Sequence, residues 1–304
     1  QIRNSDDTVD VDEDKDPRVQ YDGPLVVLTS RFSASASEIL AGALQDYGRA
    51  VVVGESTTHG KGTVQSVMQL GRLLRTTNNL GAVKLTIRKF YRASGDSTQL
   101  KGVIPDIVLP SVNNVAEIGE AELDNALPFD TIKPATYEKL DRVSPVLSSL
   151  RDSSSDRVKT NKDFDWVRSD MERYKKQLED KSVSMNEANR RKEKEENKSR
   201  LDARKKELQA RGEPQRKVWE FKIRDVDLAE LPLLQKTNKV AVVHAPEGQK
   251  LSDPDGKADG EEDKTEEASI PDIDYVMDEA KQILLDFVRL SKTAERPGEA
   301  TAAK

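Results

Sequence analysis

Two short apolar runs, PLVVLTS (residues 24–30) and AVVVGE (50–55), bracket a segment of helical periodicity. This arrangement constrains the fold more than any other feature of the chain. A brief apolar run bounded by turn signals is the pattern of a strand buried in a parallel sheet. Between the runs, SASEILAGALQDY (35–47) places Ile39, Leu40, Ala43 and Leu44 at helical spacing, and the GRA that follows stops the helix. Strand, helix and strand joined by short turns make a right-handed crossover unit, which implies an α/β sheet. GTVQSVMQL (62–70) and GAVKLTIRKFY (81–91) alternate as strands do. KGVIPDIVLP (101–110), punctuated by Pro105 and Pro110, closes this domain. The acidic stretch DDTVDVDEDKD (6–16) reads as a solvated loop.

Apolar residues thin out beyond residue 110. Over 304 residues, 35% are hydrophobic and 34% charged, too few apolar side chains to fill two ordinary cores. Residues 111–150 read as a connecting segment and 151–245 as a charged helical domain. From about 159 to 211 the sequence is almost wholly helix-forming and charged, which implies solvated helices with one docking stripe. KVAVVHAPE (239–247) reads as a strand, and 246–270 as an acidic linker that cannot bury a core. Residues 271–292 restore helical spacing through Val276, Ala280, Ile283, Leu284 and Phe287, as expected of a helix that docks back on the body. Residues 293–304 read as a flexible tail.

The net charge of −6 argues against nucleic acid as a partner. The absence of cysteine excludes disulfides and thiolate chemistry. No run reaches the roughly 18 apolar residues of a membrane span. The opening QIRN reads like the middle of a strand, so the chain is expected to be a piece of a longer protein.

RFSASASEIL (31–40) poses the chemical question. Ser35 followed by Glu38 fits a capping box, a purely structural use of the hydroxyl. A serine at that position also sits beside free amides and the positive end of the helix dipole, where an oxyanion is stabilised. It then needs a base. The chain has two histidines, His59 and His244; the first lies beside Lys61, and neither suits the role. Lys61, between Gly60 and Gly62, is the better candidate. A free lysine titrates near 10.4, so a base at this position requires a desolvated amine without a close carboxylate. Lys61, Thr63 and Gln65 alternate, so on a strand Gln65 shares a face with Lys61 and its amide could hold the amine without adding charge. Read alone, GKG is also the pattern of an exposed turn.

Taken together, SASASEILAGALQDYGRAVVVGE, GKGTVQ and KGVIPDI resemble the C-terminal processing peptidases, which are serine–lysine proteases. RFSASASEI, KFYRASGDSTQLKGVIPDI and DNALPFD (124–130) are similar to their tail-specific branch. The resemblance implies part of a crotonase- or ClpP-like α/β protease core followed by a mainly α-helical C-terminal domain. It implies Ser35 as nucleophile, Lys61 as general base, Gln65 as the residue that orients it, and the Ala36 amide as an oxyanion donor. Asp46 matches a further position linked to activity. On one helix with Ser35 it lies 11 residues on, roughly 16 Å along the axis, so it is a supporting, structural acid rather than a third catalytic group.

The resemblance further implies no cofactor and no metal. Substrates would be proteins with apolar C-termini in the periplasm or cell envelope of a Gram-negative-type bacterium, with an adaptor lipoprotein as a further partner. Two departures bear on activity. GESTTHGKG holds one residue more than the family's spacing between glutamate and lysine. The family's substrate-capturing PDZ domain and a glycine-rich second oxyanion loop have no counterpart here, so the chain alone is expected to be inactive. The rival reading is an interaction scaffold with an impaired catalytic core.

Overall fold

The computed structural model describes residues 1–16, 18–212 and 273–294. The crossover unit forms as expected. β3 (Val26–Thr29) leads through α1 (Ala36–Asp46) to β4 (Val51–Gly54), and the two strands pair in parallel with Val26 opposite Val51. β7 (Ile107–Val108) joins the other edge of β4, giving a three-stranded parallel sheet in the order β3-β4-β7. The central strand is buried throughout. Its edge partner β3 is only half-buried, because one side of an edge strand lacks a neighbour.

A second sheet is antiparallel. β1 (Ile2–Asn4), β2 (Val9–Asp10), β5 (Thr63–Gln69) and β6 (Ala82–Phe90) line up in the order β2-β1-β6-β5, with a helical turn, α2 (Leu70–Leu73), joining β5 to β6. QIRN thus contributes a strand, paired with Arg88 to Phe90 of β6. The two alternating segments read from the sequence are neighbours here, with a register shift between Val64 and Gln65.

The face of α1 that the structure buries is not the apolar one. Glu38, Ala41 and Gly42 face inward, whereas Ile39 and Leu40 are 48% and 59% exposed. Small residues bring the helix close to the protein body, and Glu38 is drawn in by hydrogen bonds. Periodicity of apolar side chains registers neither effect.

The helical region supplies part of the same core. α3 (Leu147–Thr160), α4 (Lys162–Asp180) and α6 (Tyr275–Ala294) bury Leu150, Phe164, Ile283 and Phe287 against Val51, Val53, Ile107 and Leu109 of the parallel sheet. Each such side chain contributes roughly 1.5–3 kcal/mol of hydrophobic stabilisation. The docking helix expected at 271–292 is α6, with Ala280, Ile283 and Phe287 buried and Val276 and Leu284 half-buried. Arg157 of α3 ties it down, bonding Glu279 at 2.8 Å and Asp286 at 2.6 Å. Burial alone would lower the Arg157 pKa, but these two carboxylates outweigh it and raise it.

Residues 1–181 and 275–294 belong to one compact unit. α5 (Glu187–Arg211) belongs to a second, within 182–274, and buries none of its residues. The strand expected at 239–247 and the linker at 246–270 lie outside the described residues, as does the tail beyond 294. Among the described residues no helix is long and apolar enough to cross a membrane.

Candidate active site

The three serines differ in what the fold asks of them. The Ser33 hydroxyl accepts the Ser30 amide at 3.0 Å and closes a turn. Ser37 is exposed in the first turn of α1. Ser35 is the N-cap residue, with φ 55° and ψ −110°, a backbone conformation that side chains rarely adopt. Such strain costs about 1–3 kcal/mol and clusters at functional sites. A sharp, strained turn entering a helix is also how nucleophilic serines present their oxygen in other hydrolases.

Glu38 explains how the strain is held. It is fully buried, and its carboxylate accepts four hydrogen bonds. Oε2 takes the Ser35 amide at 2.8 Å and the Lys61 amide at 2.9 Å. Oε1 takes the Gly60 amide at 2.7 Å and the Thr58 hydroxyl. The capping box read from the sequence is therefore closed from the Glu38 side, while the reciprocal contact to the Ser35 hydroxyl falls short of a hydrogen bond. Glu38 does far more than cap a helix, and its full role could not be read from the S-x-x-E spacing.

The loop carrying Lys61 is fixed on both sides. Gly60 has φ 90°, and a Cβ there would lie 2.9 Å from the Leu100 backbone. At Gly62 a Cβ would come within 2.7 Å of the Gln99 amide nitrogen. Both glycines flanking the lysine are thus demanded by close approach of residues 99–100. Gln99, fully buried, accepts the Gly62 amide at 2.9 Å. The Lys61 side chain itself is half-buried, and no carboxylate lies within ion-pair distance of its amine among the described residues.

The extra residue in GESTTHGKG does not loop out. The Ser56 amide bonds Asn114, the Thr57 hydroxyl bonds the Lys101 carbonyl, and the Thr58 amide bonds the Val103 carbonyl at 3.1 Å. His59 donates its amide to the Ser33 carbonyl at 2.9 Å, tying the lysine loop to the serine loop. Its ring Nδ1 is buried without a hydrogen-bond partner, 3.9 Å from Glu120.

The remaining predicted residues divide. Gln65 is exposed in β5, opposite a register shift that skips Ile87 of β6, and Lys61 precedes the strand. No hydrogen bond joins Gln65 to Lys61 among the described residues. Asp46 lies at the far end of α1, where it bonds Arg92 at 2.6 Å and anchors the helix to the segment after β6. The Ala36 amide sits at the first helical position, where no intrahelical acceptor exists. The amides of Ser35, Ser37, Glu38 and Ile39 all have protein acceptors, whereas that of Ala36 has none among the described residues.

A strained serine, an unpaired lysine amine held on a neighbouring loop and one free helical amide together suit acyl transfer. Two known family models match the chain. The model for peptidase family S41 matches residues 1–109, and that for the C-terminal domain of tail specific protease matches residues 114–289. The chain is 37% identical over 190 residues to the tail-specific protease of Haemophilus influenzae, covering 61% of this chain and 27% of that protein. It is 46% identical over 86 residues to the carboxy-terminal-processing protease of Bartonella bacilliformis, covering 28% of this chain and 18% of that one. The chain thus spans no more than 27% of the length of these curated relatives.

Proposed function

Because this chain belongs to the family of the C-terminal domain of tail specific protease, and its residues 1–109 match peptidase family S41, we propose that it supplies the nucleophile and base of a serine endopeptidase. The single observation that carries the proposal is the positive φ of Ser35, held by a buried carboxylate that also grips the backbone of Lys61. In the complete protein, the Lys61 amine takes the Ser35 hydroxyl proton as Oγ bonds to the scissile carbonyl carbon. The Ala36 amide donates to the resulting oxyanion. The intermediate collapses by breaking the C–N bond, and Lys61 returns the proton to the leaving amine. A water deprotonated by Lys61 then releases the acyl group from Ser35.

Gln65 would orient the amine once β5 is engaged by substrate or by the rest of the protein. Asp46 supports the site through Arg92. Substrates are proteins recognised by apolar C-terminal tails, in the periplasm or envelope, in keeping with the names and bacterial sources of the relatives. The exposed α5 is the surface this chain offers an adaptor lipoprotein.

The test is degradation, by the complete protein, of a reporter bearing an apolar tail. Ser35→Ala and Lys61→Ala should each lower the rate at least 10³-fold. Either variant degrading at the parental rate removes the proposed mechanism.

A further inference from the structure

Three consecutive amides, those of Gly60, Lys61 and Gly62, each meet a side-chain oxygen. Glu38 takes the first two from the α1 side. The third is taken from the opposite side by Gln99 Oε1. Gln99 is as fully buried as Glu38, and its segment grips the loop at further points. Thr98 Oγ1 bonds the Lys61 carbonyl at 3.3 Å, and the Leu100 amide bonds the Gly60 carbonyl at 2.8 Å.

Resting on the peptidase reading above, we infer that Gln99 is a positioning residue for Lys61. Its amide is a two-ended connector that only a glutamine can supply. One end must accept, because it meets an N–H. The other must donate, because Nε2 lies 3.2 Å from Glu120 Oε1, an acceptor when ionised. Glu120 is itself anchored, its own amide bonding the His59 carbonyl at 2.8 Å. The chain of contacts Glu120–Gln99–Gly62 therefore sets the C-terminal side of the lysine loop, as Glu38 sets the other. It also gives STQLKG a part in the site, through its contacts to the backbone of residues 60–62.

The polarity of this connector makes a test that a simple packing role would fail. Gln99→Glu keeps size and the acceptor for Gly62, but turns the second end into a carboxylate facing Glu120. In the complete protein, kcat should fall on the order of 10²-fold, the cost of a displacement of about 1 Å, with KM changed less than about 3-fold. Adding Glu120→Gln restores one donor and one acceptor in reversed order. That double variant should recover most of the lost kcat. Hydrogen exchange across residues 60–62 should rise in Gln99→Glu and return in the double variant. Parental kcat and protection in Gln99→Glu would overturn the inference, as would a folded double variant no better than the single one. Should Ser35→Ala prove fully active, the peptidase reading falls, and the exchange measurement alone decides the Gln99 assignment.

Discussion

The backbone amides of Ser35 and Lys61 donate to one and the same oxygen, Glu38 Oε2, at 2.8 and 2.9 Å. Two bonds to a single atom hold these amides within about 6 Å of each other, although 26 residues separate them in sequence. The strained turn and the lysine loop are therefore positioned as one body rather than as two loops that happen to meet. A consequence is that neither amide, nor that of Gly60, can serve an oxyanion.

Removing the shared acceptor should be costly. Glu38→Ala leaves four donors without their carboxylate in a fully buried place, and a loss of about 3–5 kcal/mol is expected. Glu38→Gln keeps the shape but turns one end into a donor facing donors, and should fall between the two. Urea midpoints of the three proteins check the order. A Glu38→Ala midpoint equal to that of the parent would mean that water replaces the carboxylate at no cost.

Strain at Ser35 adds to the usual preference of a helix cap for glycine over alanine. Ser35→Gly should be more stable than Ser35→Ala by about 1 kcal/mol, since glycine adopts a positive φ freely and alanine does not. Both variants should be inactive, for want of the hydroxyl. Chemical denaturation settles the ranking, and the alanine variant proving the more stable would show that the turn carries no strain.

Arg157 is the electrostatic fastener of α6. Arg157→Ala strands Glu279, which is 5% exposed, and should cost about 3 kcal/mol. Hydrogen exchange should rise along residues 275–294 more than in the parallel sheet. Uniform loss of protection in both would mean that the helix and the sheet open only together.

Asp130 gives the antiparallel sheet an acid dependence. Burial alone would raise its pKa, but hydrogen bonding and charge from Lys89, with Tyr91 and Arg3, outweigh this and hold it below the usual aspartate value. A carboxylate lowered in the folded state stabilises above its unfolded pKa of about 3.9, and that contribution disappears as pH falls through the lower folded value. Asp130→Asn should therefore cost about 1 kcal/mol at pH 7, the partial exposure having been allowed for, and progressively less below pH 4. The same carboxylate helps burial push the Tyr91 hydroxyl up to about 12. In the asparagine variant that tyrosine should titrate lower, yet still above its ordinary value, because burial is the larger cause. A stability gap that is independent of pH would exclude the ionic account.

Much of the framework is legible in the order of residues. Runs of valine and short turns announce β3, α1 and β4, most clearly β4, because a strand buried on both faces has no alternative composition. The spacing of Ile283 and Phe287 announces a docking helix for the same reason. Ser35 and Lys61 stand out by motif context, and Glu38 as a cap only. Gln99 and Glu120 do not, since a glutamine and a glutamate 21 residues apart carry no periodic signal. Gln65 is picked out by alternation with Lys61, but Lys61 lies ahead of β5, where strand alternation has not yet begun.

Local order thus belongs to the sequence: which segments extend, which coil, where a helix starts and where glycine is needed. What only the folded chain decides is which polar groups share one buried carboxylate, and that a charged helical region completes the core of the sheet. Apolar periodicity is written in neighbouring residues, whereas a hydrogen bond between distant segments exists only after they have been brought together and dried.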